Sequence, residues 1–202
     1  MPSLMYMREH APMFDLEGTG VEGIYLDDIC RTLYGQKRFL GRTSRPYSVL
    51  EHSIFVNEIL KLEYPERLAA QPELSLGALL HDATEAYTGD MPTPVKRLIG
   101  PQYGRLERRL ARRVYRALDV PPWVVGSTLV KTCDEMAALL EIQAFLPGLS
   151  LTSTQRERYE ACSPELQYFF REFITFRPRA PEDGYETLYD FFMKEMIAAR
   201  AK

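Results

Sequence analysis

ALLHDATEAYTGDMPTPVK, residues 78–96, decides how this chain reads. An apolar run (Leu76, Ala78, Leu79, Leu80) leads straight into His81 and Asp82, two metal-ligand residue types side by side. On a helix over Pro72 to Tyr87, residues three and four apart are neighbours, so Ala78, His81, Asp82 and Glu85 share one face. That face adjoins an apolar stripe, and burying its ionisable groups is costly unless they are paired or hold a metal. Thr88-Gly89 is expected to end the helix. Asp90 and the pair Pro92/Pro94 then force an irregular loop that lays Asp90 and Lys96 over the helix end.

Further ligands must come from elsewhere in the chain, which has three histidines, His10, His52 and His81. His52 lies in SVLEHSIFVNEIL, residues 48–60, where Val49, His52, Val56, Ile59 and Leu60 fall on one helical face. A single inward histidine reads as a hydrogen-bonded core residue; two of them beside an adjacent aspartate read as a ligand set. The fourth ligand is expected to be an inward carboxylate, and Asp134 in LVKTCDEMAALLEI, residues 129–142, sits one turn after Val130 on the side of Ala137 and Ala138. Its neighbour Glu135 points elsewhere and is expected at the surface. His10, in a polar, proline-flanked stretch, reads as a surface residue.

The order His52, His81-Asp82, Asp134 resembles the H…HD…D signature of the HD-domain metal-dependent phosphohydrolases. SVLEHS and LLHDATEAYTGDMPTPVK are similar to segments of the bacterial 5'-deoxynucleotidases and of the related phage dATP triphosphohydrolases, over about Asp27 to Leu140. The resemblance implies an all-α HD-domain helical bundle with a small irregular or hairpin N-terminal arm. It implies that Glu85 is catalytic together with the metal ligand Asp82, that Arg38 binds substrate phosphate and Phe39 packs on base or sugar, that Asp90 contacts the deoxyribose, and that Lys96 lies near the phosphates. Tryptophan is usual in the bacterial enzymes where this chain has Phe39.

Two imidazoles and two carboxylates make a mixed nitrogen and oxygen set that suits Co, Mn, Zn, Ni or Fe better than Mg or Ca. With His10 set aside, no histidine remains for a second ion, so one divalent transition metal is expected. Such an ion lowers the pKa of its water and polarises a phosphoryl oxygen. Glu85, one turn beyond His81, is placed to orient or deprotonate that water. The expected activity is hydrolysis of a deoxynucleotide phosphoester, by a 5'-deoxynucleotidase acting on a monophosphate or a triphosphohydrolase acting on a dATP-like triphosphate. The competing readings are a non-catalytic nucleotide sensor and a guanosine tetraphosphate hydrolase. The latter enzymes carry Glu-Asp after the HD pair, whereas this chain has Glu85-Ala86.

The remaining sequence bounds the setting. With 202 residues, 46% of them hydrophobic, the chain is expected to form one domain over 1–202: an arm at 1–26, a catalytic helical core at 27–146, and C-terminal helices at 147–202 packing on it. A net charge of −3 argues against a nucleic-acid polymer as partner. No run of eighteen apolar residues and no leader pattern is evident, so a cytoplasmic protein without a membrane partner is expected. Three cysteines without paired spacing read as reduced thiols. The glycine-spaced stretch MFDLEGTGVEGIYL suggests the hairpin or irregular arm, and Asp27 and Asp28 open a short helix through Leu33. Further helices are expected at Tyr47 to Leu62, Pro101 to Leu118 and Ser127 to Phe145. The tail adds a polar helix, an aromatic run, a proline-rich break at 178–181 and a closing helix. The arginines at 105, 108, 109, 112, 113 and 116 are expected to form a basic outer face, solvated and paired with acidic neighbours; the sharper readings are an oligomer contact or an electrostatic funnel for nucleotides. The expected partners are a small deoxynucleotide and further copies of the chain in a homo-oligomer.

Overall fold

The computed structural model describes residues 4–5, 14–175 and 181–201. The fold is all-α, as expected. Its central element is α2 (Val49–Glu63), which is buried continuously from Val49 to Leu60. A helix buried on every side lies inside a bundle, and the polar residues it carries there must find partners. Its start is fixed by a reciprocal cap: the Ser48 hydroxyl accepts from the Glu51 amide at 3.1 Å, and the Glu51 carboxylate accepts from the Ser48 amide at 2.7 Å. Around α2 pack α1 (Leu26–Gly35), α4 (Leu74–Leu80), α9 (Thr128–Phe145) and α11 (Pro164–Thr175). The last helix, α12 (Pro181–Arg200), inserts Phe192 and Met196 into the core beside α4. On the other side of α2, Phe55 stacks on Phe170 with ring centroids 4.4 Å apart.

The expected helix from Pro72 to Tyr87 is broken. It starts at Leu74 and ends at Leu80; His81 to Thr84 form turns, and a single further turn, α5 (Glu85–Thr88), follows. The cause lies in the carbonyls. The His81 side chain donates from Nδ1 to the Ala78 carbonyl at 2.7 Å, and the Tyr115 hydroxyl donates to the Leu80 carbonyl at 2.9 Å. Both acceptors would be needed by Asp82 and Thr84 in a continuing helix. The chain tightens instead, with three-residue bonds from the Ala83 amide to Leu80 and from the Glu85 amide to Asp82.

The helix α7 (Pro101–Ala117) does not present all its arginines outward. Arg113 is buried, lies over the Phe14 ring at 4.4 Å, and donates to the carbonyls of Gly20 at 2.6 Å and Asp15 at 2.8 Å. Arg109 donates to the Leu16 carbonyl at 3.0 Å. A loop that cannot satisfy its own carbonyls borrows donors from the helix beneath it. The N-terminal ribbon pairs Leu4–Met5 with Phe14–Asp15 rather than folding within the glycine stretch, where the chain makes turns. His10 and most of the 178–181 break lie outside the described residues. Cys30, Cys133 and Cys162 are buried free thiols. Among the described residues no helix is long and apolar enough to cross a membrane.

Gly77 lets the short helix α8 (Pro122–Val125) approach α4: a Cβ at this position would lie 3.0 Å from the Val124 carbonyl oxygen and 3.1 Å from the Val124 Cβ. Alanine is the better helix former by roughly 1 kcal/mol. Contact with backbone cannot relax by a rotamer change, so Gly77→Ala is expected to destabilise by about 1–3 kcal/mol. Gly126→Ala, where a Cβ meets nothing within 4 Å, should stay within about 0.5 kcal/mol. Urea denaturation of both variants measures the contrast.

Candidate metal centre and cleft

Three segments converge where α4 ends. The imidazole of His52, carried by α2, is fully buried, and its Nε2 lies 3.2 Å from His81 Nε2, 3.1 Å from an Asp134 oxygen and 3.6 Å from an Asp82 oxygen. His81 Nε2 lies 3.2 Å from Asp82 and 3.8 Å from Asp134. The group of His52, His81 and Asp82 could hold a metal ion. The Asp134 side chain is more open than its apolar helix face suggested, with 39% exposure toward the cleft.

The outer nitrogens settle the tautomers. A carbonyl only accepts, so the Ala78 oxygen at 2.7 Å keeps the His81 proton on Nδ1. The Glu141 carboxylate, 2.6 Å from His52 Nδ1, does the same for His52. Both Nε2 lone pairs then point into one space only 3.2 Å apart. With two carboxylates beside them, that arrangement calls for a positive charge between the rings, and the donor set fits a divalent transition ion. The local field agrees. Burial and Arg38 oppose a positive charge on His52, yet Glu141 and Asp134 outweigh them and raise its pKa to about 10. Burial pushes the Asp82 carboxyl up, but His81, His52 and Arg38 hold it well below the usual carboxylate range.

A cleft of about 400 Å³ opens beside this cluster, lined by Arg38, Phe39, Asp82, Glu85, Asp90, Lys96 and Asp134 among others. The structure therefore places the sequence-predicted substrate residues around one cavity with the metal-ligand candidates. Glu85 is buried; one of its oxygens is 3.3 Å from Lys96 Nζ and the other, Oε2, has no hydrogen-bond partner. Burial, then Asp82 and Asp90, raise its pKa to about 8 against the pull of Lys96 and Arg38. Lys96 is no free surface lysine: it also pairs with Glu107 at 3.0 Å. Arg38 reaches Glu141 at 3.1 Å and Asp82 at 3.8 Å. Phe39 (φ 54), Leu40 (φ 57) and Gly41 (φ 70) follow it in the left-handed region. That costs the two non-glycine residues roughly 1–2 kcal/mol each, a strain more common at functional sites than elsewhere. Glu135, as expected, is exposed and bridges to Arg158.

Glu141 was missed by sequence reading. It is fully buried, and joins His52 to Arg38. Its signal was present: it follows Asp134 by seven residues, two turns along the same face of α9, inside an apolar stretch where an unpaired carboxylate would be costly.

No family model matches the chain. It is 36% identical over 137 residues to an uncharacterized protein of Rhodobacter capsulatus, covering 66% of this chain and 68% of that one, and it belongs to the same family. It is 35% identical over 113 residues to the uncharacterized protein YfdR of Escherichia coli, of whose length that match spans 56%. At greater distance it is 27% identical over 180 residues to a Vibrio parahaemolyticus protein named as a 5'-deoxynucleotidase, covering 75% of this chain and 93% of the relative. Other bacterial proteins of that name match at 26–31% identity.

Because Glu141 orients the His52 ring, Glu141→Gln is expected to weaken Co(II) binding by about 10- to 100-fold, the usual cost of losing a group behind a metal ligand. His52→Ala should weaken it further, and Glu135→Gln should leave it unchanged. Calorimetric titration of the three variants checks the order.

Proposed function

We propose that the chain hydrolyses the phosphoester of a small deoxynucleotide, with one divalent transition ion held by His52, His81, Asp82 and Asp134. When bound, the ion supplies Lewis acidity at the phosphoryl group. The observation that carries the reading is the Glu85 oxygen that is buried, unpartnered and set in the same cleft as Asp82 and Asp134. A carboxylate raised by burial is suited to take a proton from water near neutral pH. Asp82 serves the same step by holding the charge of the centre beside Arg38. Arg38 receives the substrate phosphate, since a guanidinium offers forked donors to phosphate oxygens, and Lys96 adds a second cation. Phe39 packs on base or sugar, and Asp90 accepts from the deoxyribose. The names of the distant relatives support this class of substrate. We read residues 1–202 as one domain, since α12 and α11 share core with α4 and α2.

The cleft favours a monophosphate over a triphosphate. Its cations among the described residues are Arg38 and Lys96, and both are already engaged by carboxylates. A triphosphate would bring more negative charge than two engaged cations offset.

Assay of the purified chain with Co, Mn or Zn against deoxynucleoside mono- and triphosphates is expected to release inorganic phosphate from the monophosphates. Release of tripolyphosphate from a triphosphate would reassign the substrate. Metal binding without hydrolysis of any nucleotide would make the protein a sensor. Glu85→Gln should lower kcat by about 10²- to 10⁴-fold while keeping metal affinity.

The same residue sets a pH limb. A base works only when ionised, so kcat/KM should climb as pH rises through the pKa of Glu85. Burial and the neighbouring carboxylates put that value near 8, and a bound cation pulls it back toward the ordinary 4.5. The ascending limb should therefore lie between these values and vanish in Glu85→Gln.

A further inference from the structure

A second cavity, of about 570 Å³, opens on α7 away from the cleft residues, with Ala111, Tyr115, Val120 and Pro122 as its apolar floor and Arg108, Arg112 and Arg116 at its rim. The three arginines recur every fourth residue, so their guanidinium stems rise along one helix face about 6 Å apart. All three are exposed, and no acidic side chain pairs with any of them among the described residues. This sets them apart from Arg109 and Arg113 on the same helix, which are occupied with backbone carbonyls. The floor is rigid: the Tyr115 hydroxyl is tied to the Leu80 carbonyl at 2.9 Å, which fixes the ring under the cavity. At the rim lies Asp119, a non-glycine residue held at φ 51. This is the left-handed closure that ends α7: the Val120 amide donates to the Tyr115 carbonyl at 2.8 Å, which fixes where the Asp119 carboxylate stands.

We propose that this cavity binds an organic polyphosphate of nucleoside triphosphate size, separately from the cleft. The three uncommitted guanidiniums match a chain of phosphates, each able to take a forked hydrogen-bond pair. The concave apolar floor takes the body of the ligand, and the volume lies within the range of small-molecule sites. Asp119 accepts from a hydroxyl or amino group of that body and repels a bare anion, so the site selects an organic phosphate over an inorganic one. A nucleic-acid strand fits less well, because the chain as a whole is acidic and, among the described residues that line the hollow, Tyr115 alone offers an aromatic ring on which bases could stack.

Isothermal titration of the whole chain with ATP and with inorganic tripolyphosphate, in EDTA to suppress hydrolysis and metal-assisted binding in the cleft, tests the site. ATP is expected to bind once per chain here, at least tenfold tighter than tripolyphosphate. The triple variant Arg108→Gln/Arg112→Gln/Arg116→Gln should lose at least tenfold in ATP affinity with its melting temperature unchanged, because the three side chains are exposed. Arg112→Glu alone should do the same, and Lys96→Ala, in the cleft, should leave this binding as it was. No heat from ATP, equal affinity for tripolyphosphate, or undiminished binding in both arginine variants would each overturn the assignment. None of these readouts requires the chain to be a hydrolase, so failure here and failure of the hydrolytic reading are seen separately.

Discussion

The 2.6 Å contact between the Glu141 carboxylate and His52 Nδ1, deep under the cleft, is the interaction on which the rest of the site depends. A carboxylate with no exposure must be compensated, and here it is compensated twice, by the imidazole and by the Arg38 guanidinium. Burial pushes its pKa up, but Arg38 and His52 bring it below the ordinary value, so it stays charged. Three parts of the chain are tied by that one group: α9, the centre of α2, and the loop that delivers Arg38. Removing one partner of such a buried charged network commonly costs about 3–5 kcal/mol, more than a surface ion pair supplies. Arg38 and His52 therefore keep their positions as a unit.

The second constraint is the break in the helix at Leu80. A continuous helix would have pointed His81 and Asp82 along one stripe with Glu85, at fixed helical spacing. The turn instead puts Asp82 against both imidazoles and lets Glu85 sit in a new first turn, its carbonyl held by Gln36 at 2.8 Å. One of the two residues that break the helix also builds the site: His81 takes the Ala78 carbonyl with its own ring, while Tyr115, outside the cleft, takes that of Leu80. Local structure and chemistry are linked here by competition for backbone acceptors.

Much of the architecture was legible in the residues. The shared face of Val49, His52, Val56, Ile59 and Leu60 announced an inward-facing helix, and two inward histidines with an adjacent aspartate announced a cluster; the burial of α2 on every side and its Ser48–Glu51 cap emerged only from the packing. Arg113 was not legible. It shares α7 with five other arginines, and nothing local distinguishes an arginine that stacks on a distant phenylalanine from one that is solvated.

By itself the sequence determined the main helical segments and which ionisable residues lie on apolar faces, because these follow from periodicity and from the cost of burying charge; the all-α class was what its family resemblance implied. Tertiary structure alone decided that Asp134 stays half open, that Lys96 is held between two glutamates, and that Glu141 underlies the centre. Those outcomes depend on partners 11 to 103 residues away in the chain. Helical spacing specifies the face a side chain occupies, and only the packing of the helices specifies what meets it there.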